Sequence, residues 1–593
     1  MKHCIVVFEP EGKRVSIHRG ATLLEAAGQG GIILNTSCGG AGTCGKCKVQ
    51  ISPRGDEVLA CQYIVEEDIT VVISADSRFF YQKILEHGVD REIELCPCMC
   101  KKHVIVPCGK RPVDVLRDTC GGAVINLSAG VKSKYEQLAS QAGEEGVTTV
   151  LRGCRSEDVS YEMIDAEAGD TRGRIFGAAV DIGTTTVVAR LVDMTTGEAA
   201  ATAAGSNPQS KYGDDVVSRI SYGQSEKGLA ELRGLIVGCI NELVEELCEK
   251  GKCRCDEIYE VAAAGNTTMN HIFLGLPIKQ LGQAPYSAYS VAAYDRGVEE
   301  SGLRINAGGN VHTIENIAGF VGSDTTAAAV AVGMDMAEAM TLVIDIGTNG
   351  EVILGTKDKL LAASCAAGPA LEGARIHHGS RAVDGAIERV VLNGGDIDVD
   401  VIGGGDARSI CGSGLIDAAA VLLEVGVIDS TGRFVDPAGL KGKVGEKILR
   451  RLIRFEGGRA FVLAGEGAGK RGSVFLTQKD IRELQLAKGA IRAGIKLLQE
   501  RMGVKDEDIS QVLLAGAFGN YIQRKSALRI GLLPQIPVER IKFVGNAASS
   551  GAQMVLVSSQ CRALAGELSK KIEYVEIGHM PEFQMAFAES MLF

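Results

Sequence analysis

One strand–turn–strand pattern occurs twice in this 593-residue chain, and it constrains the fold more than any other feature. In FGAAVDIGTTTVVARLVDMTTGE, an apolar strand ends at Asp181, and a Gly-Thr turn leads to a second strand. TLVIDIGTNGEVILG repeats this shape, with Asp345 and Gly347 in the matching places. Self-similarity within a chain indicates repeated structural units. The repeat therefore predicts two related lobes that face one cleft.

The two turns have the composition of phosphate-binding loops. Turn amides and Thr hydroxyls can donate to phosphate oxygens, and glycine allows their close approach. Asp181 and Asp345 would face the same phosphates, so a cation must lie between them, and Mg²⁺ with retained waters fits that position. We expect these two acids to be catalytic. The candidate nucleotide-binding residues of the turns are Gly183, Thr184, Thr185, Gly347, Thr348 and Asn349.

Three further glycine-containing segments follow the repeat. VLLAGAFGN is a buried strand that reaches Gly516 and Gly519, which we predict to shape an adenosine pocket. SICGSGLIDAAA places Gly412 and Gly414 at the start of a helix whose N-terminus can face an anion. VGNAASSGAQMVL predicts an Ala-rich helix suited to tight packing at a hinge. Each segment taken alone is also compatible with an ordinary structural turn.

A cluster of cysteines near the N-terminus predicts an iron–sulfur centre. Cys38, Cys44, Cys47 and Cys61 have the spacing C-x5-C-x2-C-x13-C, with glycines between the first three. Four thiolates of this kind can enclose a [2Fe–2S] cluster, although plant-type ferredoxins have one residue fewer before the second cysteine. A structural zinc site usually has two C-x2-C pairs, and only one is present here. Disulfides would require an exported protein.

Composition excludes several classes of function. The net charge of −11 and pI of about 5.5 argue against a nucleic-acid surface. No stretch approaches the ~20 apolar residues that a membrane-spanning helix needs, and the N-terminus does not read as a signal peptide. We therefore expect a cytoplasmic protein in which the 18 cysteines are mostly thiols or ligands.

Periodicity divides the chain into four segments. Residues 1–76 contain strands at 3–9, 14–18 and 69–74 and a helix starting near Ala21. Residues 77–101 read as a linker ending in CPCMC, where Cys96, Cys98 and Cys100 are either a second metal site or ordinary thiols, with Cys108 close behind. Residues 102–173 predict a small α+β middle domain, and 174–593 hold the repeat. Within that segment, TQKDIRELQLAKGAI predicts a helix capped by a Thr.

The order of these motifs resembles that of a known family. The first segment is similar to the β-grasp fold of plant-type ferredoxins, and the rest resembles the acetate and sugar kinase, Hsp70 and actin superfamily. More narrowly, the chain resembles the reductive activators of corrinoid proteins over nearly its whole length. The carrying segments are CGGAGTCGKC, DIGTTT, NPQSKYGDDVVSRI, AAGNTTMNHIFLG, GFVGSDTTA, DIGTNGE, ASCAAGPALEGARIHHGSRAVDGAIERV, ICGSGLIDA and LLAGAFGNYI.

The resemblance implies a multidomain α/β protein: a ferredoxin-like domain, a middle domain and a two-lobed actin-like ATPase with RNase H-like lobes. It implies ATP-dependent one-electron reduction of a corrinoid protein from Co(II) to Co(I), with [2Fe–2S], ATP and Mg²⁺ as cofactors. Expected partners are a corrinoid protein of a methyltransferase system and an external electron-donor protein, and a homodimer is compatible with the sequence. Residues in the family-like stretch that could face the corrinoid partner, or simply pack in the lobe, are Ser364, Cys365, His377 and His378.

Three other functions fit parts of the pattern. An activator of a radical dehydratase shares the lobes but bridges a [4Fe–4S] cluster across a dimer, which the fused ferredoxin motif argues against. A sugar or acid kinase would need a small-molecule phosphoryl acceptor. A carrier that uses nucleotide only to exchange partners would show no ATP turnover.

Overall fold

The structure is a computed structural model of the whole chain. It describes residues 3–9, 13–29, 47–52, 55–73, 93–153, 160–213, 215–347, 349–373, 375–380, 382–465, 473–516, 522–578 and 580–593. Across these ranges, no helix is both long and apolar enough to span a bilayer.

The N-terminal domain is a five-stranded sheet with one short helix, as expected for a ferredoxin-like domain. Its elements are β1 (His3–Glu9), β2 (Lys13–His18), α1 (Leu23–Gln29), β3 (Lys48–Ser52), β4 (Asp56–Leu59) and β5 (Ile69–Val72). The sheet order is β2-β1-β5-β3-β4. Alternate residues of β1 (Cys4, Val6 and Phe8) are buried because successive side chains of a strand point to opposite faces.

The middle domain packs two helices on a four-stranded sheet of order β6-β8-β9-β7. Its elements are β6 (Met99–Val104), α2 (Pro112–Thr119), β7 (Val124–Leu127), α3 (Ala129–Ala142), β8 (Val147–Arg152) and β9 (Ser160–Ala168). The structure differs from the predicted linker of residues 77–101 at its end. Met99 and Cys100 already belong to β6, because they pair with Arg152 and Leu151 of β8.

The first of the two predicted lobes is built on a six-stranded sheet of order β12-β11-β10-β13-β15-β14. Its elements are β10 (Phe176–Ile182), β11 (Thr186–Asp193), β12 (Ala199–Ser206), α4 (Val216–Tyr222), α5 (Glu226–Gly251), β13 (Ile258–Gly265), α6 (Thr267–Leu274), β14 (Tyr294–Gly297), α7 (Val298–Ser301), β15 (Asn310–Thr313) and α8 (Ser323–Ala331).

The second lobe has a six-stranded sheet of order β26-β25-β16-β17-β18-β27 and two three-stranded sheets. Its elements are β16 (Thr341–Ile346), β17 (Gly350–Thr356), β18 (Lys359–Cys365), β19 (Ala386–Asn393), β20 (Asp396–Val401), β21 (Ser409–Ile410), α9 (Gly412–Glu424), α10 (Pro437–Leu440), α11 (Glu446–Arg451), β22 (Leu452–Phe455), β23 (Gly458–Ala464), β24 (Val474–Thr477), α12 (Gln478–Met502), β25 (Gln511–Ala515), α13 (Arg524–Arg529), β26 (Ile541–Gly545), α14 (Ala547–Val557), α15 (Ser559–Lys571), β27 (Ile572–Tyr574) and α16 (Pro581–Ser590).

The predicted repeat is confirmed in the strand pairing. β10 pairs antiparallel with β11 and parallel with β13, and β16 pairs antiparallel with β17 and parallel with β25. Asp181 lies beside Ala264 and Asp345 beside Ala515, so each acid occupies the same place at the end of a central strand. The multidomain α/β architecture is likewise confirmed.

Two helices of small residues lie between the sheets of the two lobes. One hydrophobic core contains residues of α8 and α14 together with residues of β10, β16 and β25. Gly551 of α14 lies so close to α8 that a Cβ there would overlap the carbonyl oxygen of Ala327. The two helices therefore pack at nearly backbone distance.

Candidate nucleotide cleft and cluster site

A cavity of about 310 Å³ lies where the two hairpins face each other. It receives side chains from both lobes, as a nucleotide-binding cleft requires. The predicted site residues that line it are Asp181, Gly183, Thr184, Thr185, Asp345, Gly347, Asn349, Gly412 and Gly516. The two hairpins and the start of α9 thus meet in one place.

The first turn is held in shape by buried polar side chains. Asn207 donates to the carbonyl oxygen of Gly183 at 2.9 Å, and Arg219 donates to that of Thr184 at 2.6 Å. Asn266 donates to the hydroxyl of Thr184 at 2.9 Å. Arg219 is fully buried and also donates to the carbonyl oxygen of Gly213 at 2.9 Å, as a buried cation requires hydrogen-bond acceptors. The first turn is therefore held by side chains from two segments, NPQSKYGDDVVSRI and AAGNTTMNHIFLG.

Asp181 is bound from the opposite lobe. Asn546 caps α14 by accepting from the amide of Ser549 at 2.8 Å, and its amide group donates to Asp181 Oδ2 at 2.8 Å. Burial raises the pKa of Asp181, while this hydrogen bond opposes the rise. Asn546 thus joins the end of β26 to the first hairpin.

Asp345 lies in a more acidic environment. Burial, together with the charges of Asp324 and Asp181, raises the pKa of Asp345 to about 7. Gly516, with φ of +92°, lies against it, and a Cβ at Gly516 would be 2.6 Å from Asp345 Oδ1. Gly516 is therefore required for the close approach of β25 to the second hairpin, besides lining the cleft.

Three acids of the cleft, Asp324, Glu351 and Glu372, were not identified from the sequence. Asp324, at the start of α8, has a pKa raised to about 7 by burial. Glu351, the second residue of β17, has a pKa raised well above its ordinary value by burial and by Asp324 and Asp345. The acids in GFVGSDTTA and DIGTNGE were the available signals, but only the fold shows that they share the cleft with the hairpin acids. With Glu372, which also lines the cavity, five carboxyl groups are therefore present in the cleft.

Among the described nucleotide-binding candidates, Gly414 is not part of the cavity lining. A Cβ at Gly414 would overlap the carbonyl oxygen of Ile387, so this glycine allows α9 to pack on β19. Thr348 and Gly519 lie outside the described residues. Ser413, which the sequence did not single out, lines the cavity beside Gly412.

The four residues considered as partner-facing have different surroundings. Ser364 donates to Glu351 at 3.3 Å, on the edge of the acidic cleft. Cys365 is fully buried and faces Gly494, so the structure does not place it where a partner can reach it. The rings of His377 and His378 pack on Phe475, with centroid distances of 5.1 and 4.5 Å.

The described half of the cluster motif brings two thiols together. Cys47 precedes β3 and Cys61 follows β4, and the amide of Ala60 donates to the carbonyl oxygen of Cys47 at 2.8 Å. The Sγ atoms of Cys47 and Cys61 are 3.3 Å apart. Two thiolates on one tetrahedral metal with bonds of ~2.3 Å lie roughly 3.8 Å apart, so a small adjustment would fit them to one iron. Cys38 and Cys44 lie outside the described residues.

The CPCMC segment joins the middle domain to the ATPase. The amide of Cys96 donates to the carbonyl oxygen of Val557 at 3.0 Å, and Cys100 belongs to β6. Within the described ranges, no group of three or more His, Cys, Asp or Glu residues is arranged to hold a metal ion. The backbone of Cys96 thus contacts the end of α14, and Cys100 pairs with Leu151 in the sheet of the middle domain.

Comparison with known proteins identifies the family. The chain is 33% identical over 602 residues to the corrinoid activation enzyme RamQ of Eubacterium limosum, with 99% of each chain covered. The chain belongs to the family of reductive activators of corrinoid proteins. A solved structure, the reductive activator for corrinoid, iron-sulfur protein, is 33% identical, with a TM-score of 0.77 and coverage of 100% of this chain and 98% of that chain.

Family models match the chain domain by domain. The 2Fe-2S iron-sulfur cluster binding domain matches residues 7–66, the RACo middle region matches 176–337, and the C-terminal domain of RACo, the ASKHA domain, matches 339–593. A second relative is the [Co(II) methylated amine-specific corrinoid protein] reductase of Methanosarcina barkeri. It is 28% identical over 274 residues, with coverage of 42% of this chain and 45% of that protein. The predicted [2Fe–2S] and nucleotide-binding domains of this activator are confirmed.

Proposed function

We propose that this chain uses ATP to drive one-electron reduction of a corrinoid protein, converting Co(II) to Co(I). The observation that carries the proposal is that one chain combines an acid-lined cleft between two matching hairpins with a paired Cys47 and Cys61. The names of two relatives, a corrinoid activation enzyme and a corrinoid protein reductase, agree with this combination. We further propose that the protein is cytoplasmic and takes its electrons from another protein.

The cleft would bind MgATP through both hairpins. The amides and hydroxyls of the turn at Gly183, Thr184 and Thr185 would donate to phosphate oxygens. Asp181 and Asp345 would hold Mg²⁺ through its waters, because Mg²⁺ in nucleotide sites takes few protein ligands and completes its shell with phosphate and water. The raised pKa of Asp345 fits this role, since an anionic site without a cation retains protons.

The cysteines would hold the cofactor that carries the electron. Cys38, Cys44, Cys47 and Cys61 would hold a [2Fe–2S] cluster through four thiolates, and the cluster would supply one-electron chemistry. Each ~59 mV of uphill potential costs a factor of about ten in the equilibrium of a one-electron transfer. ATP hydrolysis to ADP and phosphate would offset this cost by changing the conformation of the complex, for which cleft closure is the available two-state element.

A reconstituted assay tests the proposal. The holoprotein is mixed with a chemical reductant, a Co(II) corrinoid protein of a methyltransferase system and MgATP, and the Co(I) absorption spectrum is followed. We expect Co(I) to form only with ATP and to be lost when Cys61→Ser removes a cluster ligand. Cys108→Ser, at an exposed cysteine, is the matched control and should reduce normally. Equal Co(I) formation with and without ATP would refute the coupling.

A further inference from the structure

The two small domains are attached to the ATPase by different kinds of contact. Met99 and Ile164 of the middle domain belong to the same hydrophobic core as Ala179 and Tyr259 of the first lobe. The core of the ferredoxin domain contains, among the described residues, only side chains between Cys4 and Ile73. Domain interfaces without a shared apolar core behave like transient protein contacts. We therefore expect the contact between the ferredoxin domain and the second lobe to be reversible.

The first polar contact between the ferredoxin domain and the second lobe is made by His18 at the end of β2. The Nδ1 atom of His18 is 3.4 Å from Asp400 Oδ2, and its Nε2 atom is 2.9 Å from Arg389 Nη1. A guanidinium can only donate, so Nε2 accepts, and the imidazole proton is on Nδ1, facing Asp400. Burial lowers the pKa of His18, which agrees with a neutral ring. His18 thus bridges β19 and β20 of the second lobe.

The second contact lies next to the cluster segment. Gln29, the last residue of α1, donates to Glu388 Oε1 at 3.5 Å. Residue 30 begins the segment that carries Cys38 and Cys44. Because Glu388 directly precedes Arg389 on β19, both contacts converge on one strand.

The same strand is bonded to the nucleotide cleft. The amide of Cys411 donates to the carbonyl oxygen of Ile387 at 3.0 Å, and Ile387 directly precedes Glu388. Cys411, Gly412 and Ser413 line the cavity between the lobes. The strand β19 therefore contacts the cavity-lining residues 411–413 through its backbone and the ferredoxin domain through its side chains.

The docked contact leaves polar atoms unsatisfied. Within the described structure, Gln29 Oε1, Arg389 Nε and Asp400 Oδ1 are buried without a hydrogen-bond partner. Asp400 is only 2% exposed, so water does not replace the missing partners at its surface. Buried unpaired polar groups are costly, and separation of the domain would hydrate them. These unpaired atoms therefore lower the stability of the docked contact.

We propose that the β19–β20 hairpin is a reversible docking surface for the ferredoxin domain, and that nucleotide binding at residues 411–413 releases the domain. This inference rests on the proposed function, because release would free the cluster side of the domain to meet the corrinoid protein. Linkage requires the coupling to be mutual. Weakening the contact at His18 should therefore also tighten nucleotide binding.

Hydrogen–deuterium exchange on the full-length holoprotein tests the release. A non-hydrolysable ATP analogue with Mg²⁺ should slow exchange at residues 409–415, where it binds, and accelerate exchange at residues 13–29 about tenfold. Slower exchange at 409–415 with unchanged or slower exchange at 13–29 would overturn the inference while leaving the proposed function intact. No analogue binding at all would overturn the proposed function, and the inference with it.

Variants separate the contact from general destabilisation. His18→Ala should accelerate exchange at residues 13–29 without nucleotide, and the analogue should add little more. Asp398→Asn is the matched control, because Asp398 lies on the same hairpin and accepts from Asn393 at 2.7 Å. It should behave like the wild type. Retained visible absorbance of the cluster shows that the His18→Ala domain is folded. Wild-type exchange in that variant would refute the docking role of His18.

Discussion

The two hairpins of the ATPase have the same strand pairing, but the surroundings of their acids, Asp181 and Asp345, differ. Asp181 accepts a hydrogen bond from Asn546, which belongs to the other lobe. Asp345 has no hydrogen-bond partner for its carboxylate in the described structure, and burial with nearby acids raises its pKa to about 7. The two hairpins thus have the same strand pairing, but among the described residues only Asp181 has a hydrogen-bond donor from a neighbouring segment.

The largest expected effect is on ATP hydrolysis. If both acids hold Mg²⁺, Asp181→Asn and Asp345→Asn should each lower kcat by about 10²–10³-fold, the range seen when one electrostatic stabiliser of a transition state is lost. The matched control is Asp193→Asn at the far end of the first hairpin, where Asp193 accepts from the amide of Thr195. A steady-state phosphate-release assay measures the effect. A large loss for one hairpin alone would show that the two acids are not equivalent in catalysis.

The next prediction compares the effect of the two hairpin acids on the free energy of unfolding. Without divalent cations at pH 8, Asp345→Asn should raise the free energy of unfolding by about 1–3 kcal/mol, because a half-buried charge among other acids is removed. Asp181→Asn should not, since its carboxylate already has a partner. Thermal unfolding in a chelator measures both variants. Equal stabilisation of the two would contradict the difference in surroundings.

The pH dependence of stability should have the corresponding sign. The pKa of Asp345 is about 7 in the folded state and near 3.8 in the unfolded chain. Between these values the folded state holds a proton that the unfolded chain releases, so stability should fall as pH rises through this window. Asp345→Asn should reduce the fall only in part, because Asp324 also has a raised pKa of about 7. Melting temperatures from pH 5 to 8, with and without Mg²⁺, test this, and Mg²⁺ should flatten the curve.

The smallest effect concerns the bond between the lobes. Asn546→Ala removes the cap of α14 and the partner of Asp181, and should cost about 1–2 kcal/mol of stability. Asn266→Ala, which removes the cap of α6 and the partner of Thr184, is the comparison within the first lobe. Chemical denaturation compares the two. No loss of stability for Asn546→Ala would show that its bond to Asp181 contributes little.

Much of the local structure was predictable because it is written in short-range patterns. Alternating residues gave the strand at 3–9, and Thr477 with Asp480 gave the capped start of α12, where the structure has a capping box. The two hairpins were predictable because the repeat is visible without alignment. Asp324 and Glu351 were missed because their role depends on proximity across the cleft. The docking of His18 on Asp400 joins residues far apart in the chain, and no local pattern specifies such a contact.

The packing of α8 against α14 has a consequence for movement. Helices that touch through Ala and Gly present smooth surfaces, and small sliding motions between packed helices are one of the known modes of domain closure. Because Gly551 meets the backbone at Ala327, a single added methyl group would act as a wedge between the helices. Such a wedge would alter the angle between the two halves of the ATPase without touching any group that contacts phosphate.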